Sequence, residues 1–134
     1  MRCLCIELRN AANALTRLYD AQLVPAGISV TQLSQLNHIL EQGTPTLKDL
    51  AAITGLDRST LGRNMRLLEE QGLVSLAPGE DARTKVVSLT RRGRSTLGQA
   101  APLWMNTQKS LIEKLGSEKR ALLSELLTEL TAQE

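Results

Sequence analysis

Apolar residues recur along this chain with two different periods, and the changes of period divide it into elements. Leu4, Leu8, Ala11, Leu15, Leu18 and Leu23 fall on one broad stripe at helical spacing, ended by Pro25-Ala26-Gly27. They predict one long amphipathic helix from about Arg2 to Val24. Ser29 or Thr31 caps a second helix, whose Leu33, Leu36, Ile39 and Leu40 face inward and which closes at Gly43. Thr44-Pro45-Thr46 reads as a short loop, with Thr46 an N-cap and Asp49 three residues on. Leu47 to Ile53 is helical again and is broken by Gly55. Asp57-Arg58-Ser59-Thr60 opens a further helix with Leu61, Met65 and Leu68 on one face, ending at Gly72. The spacing of Ala51, Gly55 and Leu61 suits two helices crossing steeply. The alanine permits close approach, the glycine can take a positive φ, and the leucine locks the second helix on the first. Leu73 to Ala77 and Lys85 to Leu89 are strand-like, with Pro78-Gly79-Glu80-Asp81 as turn chemistry between them. Thr90 caps a long helix running toward Leu115. Gly116-Ser117 separates it from a last helix carrying Leu122, Leu123, Leu126, Leu127 and Leu130.

The resulting expectation is a mainly α chain with a small β-hairpin: a winged helix-turn-helix with long N- and C-terminal dimerisation helices. At 134 residues it fits one domain with a real core. Within that domain, residues 46–72 form the helix-turn-helix, 73–90 the wing, and 1–43 and 91–134 the dimerisation helices. A two-stranded hairpin is marginal alone and must lean on the helices. The apolar faces of the first and last helices exceed what a compact helix-turn-helix covers, which points to a two-fold homodimer. Packing of the two helices on each other within one chain is the alternative.

The polar positions then carry the chemistry. Arg58, Ser59, Thr60, Arg63, Asn64 and Arg66 lie along the exposed edge of the helix that opens at Asp57. These types suit phosphates and base edges in a DNA major groove, and a dimer would read a palindromic operator in double-stranded DNA. The net charge of +2 says little, but from Ala82 to Arg94 there are five basic residues and no acidic one. Beside a helix-turn-helix pattern, such a run is an electrostatic footprint for a polyanion. Lys85 and Arg83 fall on the wing, while Arg91, Arg92 and Arg94 are phosphate contacts or solvated charges. Thr46 joins the DNA-facing set from the preceding loop.

Other classes fare worse. Tyr19 and Trp104 are the only aromatic residues, too few to stack single-stranded bases. No segment is apolar enough to span a membrane and the N-terminus lacks a signal-peptide core, so a cytoplasmic protein is expected. His38 is the only histidine and lies off the apolar face of its helix. Cys3, Cys5 and His38 lack a fourth ligand and a ligand-loop spacing, so neither metal nor cofactor is expected. No Ser-His-acid constellation or carboxylate cluster supports an enzyme. A winged helix serving only as a protein-interaction module, without DNA binding, remains as an alternative.

Asp57 to Asn64, Leu67 to Val74, Asp81-Ala82-Arg83 and Val87 to Gly93, in this order, resemble the MarR family of bacterial transcriptional regulators over nearly the whole chain. The resemblance implies an obligate dimer with intertwined terminal helices, acting as a repressor or, as the weaker reading, an activator. It also implies that Arg83 enters the minor groove while Asp81 supports the wing. Many members carry a second arginine between these two. Ala82 stands there here, implying a weaker minor-groove anchor.

Two inputs compete for the regulatory signal. A small phenolic or aromatic acid effector, common in this family, would bind between the DNA-binding lobe and the dimer helices. Arg9, Arg17, Tyr19 and Trp104 are the candidate lining residues, with plain packing as the alternative for the two aromatics. The second input is oxidant. Cys5, followed by Leu15-Thr16-Arg17-Leu18-Tyr19, resembles the peroxide-sensing OhrR branch, which has more tyrosines and a phenylalanine around its sulfur. On a helix, Cys3 and Cys5 would stand about 200° apart and could not easily pair within one chain. Buried or idle thiols are the bland reading.

Overall fold

The computed structural model describes residues 1–81 and 83–132. Helix α1 spans Leu4–Leu23 and runs into a single 3₁₀ turn at Val24–Ala26, where Pro25 sets φ and Gly27 (φ 74°) reverses the chain. Helix α1 begins two residues later than its periodicity suggests. Cys3 takes extended backbone (φ −93°, ψ 119°) as the N-cap position, so the helical argument against pairing Cys3 with Cys5 does not apply.

Helix α2 (Val30–Gln42) starts at a capping box. The Ser29 hydroxyl accepts the Gln32 N–H, and the Gln32 side chain accepts the Ser29 N–H. Helix α3 (Leu47–Thr54) repeats the device with Thr46 and Asp49, and Gly55 closes it at φ 72°. Helix α4 (Arg58–Glu70) is capped by Asp57, whose carboxylate accepts the Thr60 N–H at 2.7 Å. Strands β1 (Val74–Pro78) and β2 (Lys85–Leu89) pair antiparallel, from Val74 with Leu89 to Pro78 with Lys85. Helix α5 (Arg91–Leu115) and helix α6 (Ser117–Thr131) complete the chain, with Pro102 inside α5.

One core joins these elements. Leu36 and Ile39 of α2, Leu50 of α3, Leu61, Met65 and Leu68 of α4, and Val87 of β2 are sealed together with Leu23 and Ala100. Burying a side chain of this size is worth about 1.5–3 kcal/mol, so α4 is held by its three apolar residues while its opposite face stays free.

The hairpin leans on the helices through its second strand. The Val87 N–H donates to the Pro45 carbonyl at 2.8 Å, and Thr46 forms a β-bridge with Val86. Behind the hairpin, a Cβ on Gly93 would lie 2.1 Å from the Leu73 carbonyl oxygen, so only glycine allows α5 to start that close to β1.

By contrast, α6 contains no buried residue, and Leu122, Leu123, Leu126, Leu127 and Leu130 stand 38–52% exposed. Leu4, Ile6, Leu8, Leu15 and Leu18 of α1 are likewise exposed. Among the described residues, no helix is long and apolar enough to cross a membrane.

Candidate nucleic-acid interface

Helical geometry sorts the exposed residues of α4 into three rows. Arg58, Gly62 and Arg66, four apart, stack along the flank that faces the wing. Ser59 and Arg63 point outward, opposite the buried Leu61-Met65-Leu68 row. Thr60 and Asn64 lie on the far flank and are half-buried. Thr60 is the most committed of these side chains. Its hydroxyl donates to the Asp57 carboxylate at 3.1 Å, and its backbone N–H caps the same group. These bonds hold the Asp57 carboxyl below the usual aspartate range, with a smaller contribution from the nearby Arg63 guanidinium. Helix α4 therefore starts at a fixed, ionised cap.

The wing is positioned from both sides. Glu69 on α4 accepts the Leu76 N–H at 3.2 Å, tying the helix to β1, while Pro45 and Thr46 hold β2. At the wing tip, the Asp81 carboxylate accepts the Arg83 N–H at 3.1 Å and the Asp81 carbonyl accepts the Thr84 N–H at 2.9 Å. Asp81 thus orders the turn through backbone bonds and leaves the Arg83 side chain on the exposed tip. Ala82, singled out in the sequence, lies outside the described residues.

Between α4 and the wing lies a cleft of about 500 Å³ whose lining contains Lys48, Arg58, Arg66, Arg83 and Lys85 and no acidic residue. Thr46 lines it too, although its hydroxyl serves as the α3 cap by accepting the Asp49 N–H. Donation from Thr46 holds the Asp49 carboxyl low. Lys48 was missed in the sequence because it follows an ordinary N-cap. Only the long-range pairing of Pro45 and Thr46 with β2 brings the first turn of α3 beside the wing.

The other candidates separate. Arg94 lines a different cleft, of about 670 Å³, between α2 and α5, together with Leu33, Leu40, Leu97, Trp104 and Met105. Of the four suggested effector-pocket residues, Trp104 lines this cleft and Arg9, Arg17 and Tyr19 do not. The Tyr19 hydroxyl instead donates to the Gln108 side chain on α5, and burial raises its pKa against the opposing charge of Arg120. Cys3 and Cys5 are both exposed. Cys5 and Tyr19 are about 21 Å apart along the single helix α1, so the tyrosine cannot serve that thiol within one chain. Among the described residues, no group of three or more His, Cys, Asp and Glu is placed to hold a metal.

A helix that turns one face of cations outward, flanked by a wing that closes a cationic cleft, defines a DNA-binding protein of the winged helix-turn-helix class. The MarR family profile matches residues 26–84. The HTH-type transcriptional regulator FarR of Neisseria gonorrhoeae is 32% identical over 126 residues, covering 93% of this chain and 86% of FarR. The organic hydroperoxide resistance transcriptional regulator of Bacillus subtilis is 29% identical over 126 residues, covering 93% of this chain and 85% of that protein. The M. tuberculosis transcriptional regulator MosR, crystallised in complex with DNA, is 34% identical with a TM-score of 0.80, over 98% of this chain and 100% of that one. The chain belongs to the MarR family and is a DNA-binding transcriptional regulator, not an enzyme.

Proposed function

We propose that this regulator is a two-fold homodimeric repressor that grips a short inverted repeat and releases it when a small amphipathic acid binds. The observation that carries the DNA half is the cleft where Lys48, Arg58, Arg66, Arg83 and Lys85 converge. In this reading Ser59, Arg63 and Asn64 meet base edges or phosphates, with Thr60 holding the helix start. Arg58, Arg66 and Lys85 grip phosphates, and Arg83 reaches the minor groove from a turn ordered by Asp81.

Residues 46–72 and 73–90 form the DNA-binding unit, and 1–43 and 91–134 form the dimer helices. The half-exposed leucines of α6 and α1 support that division. A 15-residue helix with no buried side chain is marginal in water and gains its stability from a partner surface. A second copy of the same faces is the simplest such partner, and two recognition helices one turn of DNA apart raise affinity for a palindrome.

The α2–α5 cleft suits the effector. It is largely apolar, has Trp104 in its wall, and carries one cation, Arg94, to meet a carboxylate. It lies between α2 and α5, and α2 in turn packs on α3 and β2 of the DNA-binding unit, so an occupant that spreads α2 from α5 would change the spacing of the recognition helices.

The exposure of both thiols favours a second reading, an oxidant input through Cys5 with Cys3 beside it. One experiment tests all three parts. Fluorescence anisotropy follows the reduced protein on the DNA upstream of its own gene, then after addition of an aromatic acid or an organic hydroperoxide. Tight, salt-dependent binding is expected, and its absence overturns the repressor reading. Release by the acid supports the α2–α5 cleft, while release by hydroperoxide with recovery in thiol makes the cysteines the switch.

A further inference from the structure

The cations of α4 are not equivalent. Arg58 and Arg66 line the wing cleft, whereas Arg63 is not part of its lining. At 3.6 residues per turn, Arg63 stands about 200° round the helix from the buried Leu61, on the outward face. Its side chain is also held differently. The Arg66 Nε donates to the Gly62 carbonyl at 3.3 Å, so that guanidinium folds back along its own helix on the wing flank. The Arg63 Nη2 instead donates to the Thr60 hydroxyl at 3.4 Å, a long bond that gives direction more than strength. The Thr60 hydroxyl in turn donates to the Asp57 carboxylate, and the Arg63 charge is close enough to help hold that carboxyl low. Asp57, Thr60 and Arg63 thus form one relay that leans the guanidinium toward the start of α4. Acidic residues occupy the other end. Glu69 is tied to β1, and Glu70 is exposed on the outward face. Against a groove walled by phosphates, this gradient draws in the first two turns of α4 and keeps the last one out.

Building on the operator-binding reading above, we propose that Arg63 reads a guanine in each half-site and that Thr60 is its positioning residue. A guanidinium only donates. In the major groove guanine alone offers two neighbouring acceptors, O6 and N7. Adenine sets one acceptor beside a donor, thymine offers one acceptor, and cytosine a donor. The Thr60 bond uses one of the five N–H groups of Arg63 and leaves four, more than the two that guanine takes. A fork already held in place loses less side-chain freedom when DNA arrives. Arg58 and Arg66, on the flank that faces the wing, grip the backbone without reading sequence.

The test is selection by the full-length wild-type protein from a pool of duplexes with a randomised core. Anisotropy titration of the enriched duplex and its single base-pair substitutions follows. Wild type is expected to require one guanine per half-site, its replacement by any other base costing about ten- to a hundredfold. 7-Deazaguanine, in which a C–H replaces N7, should weaken wild type at that position and leave Arg63→Ala indifferent. Arg63→Ala should bind all four base pairs there about equally and keep the wild-type preferences elsewhere. Thr60→Val keeps the backbone bond to Asp57 and loses the hydroxyl. It should narrow the guanine preference, and Thr60→Ser should restore it. Lys48→Ala, which removes a charge from the wing cleft, should weaken every duplex alike and preserve the profile. A wild-type profile kept by Arg63→Ala at uniformly lower affinity makes Arg63 a phosphate contact and overturns the proposal. A guanine preference unchanged in Thr60→Val overturns the positioning role. Enrichment without an Arg63-dependent guanine sinks this assignment alone, whereas no enrichment of any duplex removes the operator reading as well, so the two failures are distinct.

Discussion

The Thr90 hydroxyl donates to the Gly72 carbonyl at 2.6 Å and accepts the Gly93 N–H at 3.0 Å. One side chain thereby caps α5 and closes the carbonyl left open just past the recognition helix, where Gly72 sits at φ 77°. The junction fixes the exit of α4 against the start of the helix that leads to the dimer surface. Thr90→Val keeps the shape and removes both bonds, and is expected to lower stability by about 1–2 kcal/mol. Gly93→Ala is expected to cost more, because its Cβ would meet backbone, the Leu73 carbonyl at 2.1 Å, which cannot turn aside. Urea midpoints at unchanged m-value measure both.

Arg83→Ala removes a cation from an exposed turn that the backbone bonds of Asp81 already order, so the fold is expected to survive unchanged. Operator affinity should fall, and the slope of log affinity against log salt should flatten by about one unit. An unaltered slope in anisotropy titrations across salt would take the wing out of the DNA contact.

Gly62 lies mid-helix in α4, and a Cβ there would meet only the flexible end of Arg66, at 3.9 Å. Nothing among the described residues requires the glycine, which costs a helix interior roughly 0.5–1 kcal/mol relative to alanine. Gly62→Ala is therefore expected to raise the thermal midpoint. If DNA enters the cleft that Gly62 lines, the same change should weaken operator binding several-fold. Stabilisation without loss of affinity would show that the α4 backbone stays away from the DNA there.

Because Asp57 is held below the ordinary aspartate range by the Thr60 bonds, its cap is fully present above the unfolded value near about 3.9 and is lost as pH falls through the lower folded value. The Thr60 amide shift should titrate with a midpoint below that of a free aspartate. Asp57→Asn, which also caps, should abolish the titration and keep the helix start. A midpoint at the ordinary value would mean the cap is not formed in solution.

Leu126→Glu and Leu122→Glu place charge on a helix that buries nothing within the chain. Each is expected to leave the DNA-binding unit folded, shift sedimentation from dimer to monomer, and reduce operator affinity at least about tenfold, because one recognition helix then binds alone. A monomeric wild type would remove the basis of this expectation.

Most element boundaries were legible because they are set by bonds three or four residues long. Thr46, Asp57 and Thr90 cap the helices at which their side chains pointed, and Ser29 rather than Thr31 proved to be the cap of α2. The first strand slips by one residue, from Leu73 to Val74, since the Leu73 N–H is used by the Leu68 carbonyl to close α4. Cys3 leaves the helix because apolar periodicity marks a stripe without marking its last turn.

By itself, then, the sequence determined the helices, the turn glycines, the cationic edge of α4 and the excess of apolar surface at both ends, all written in local spacing. Tertiary structure decided what stands opposite what. It brought Lys48 beside the wing, turned Arg94 toward Trp104 rather than toward the wing, and paired Tyr19 with Gln108. The physical reason is range: a cap is satisfied within one helical turn, whereas a cleft exists only after two surfaces, distant in the chain, have packed around a shared core.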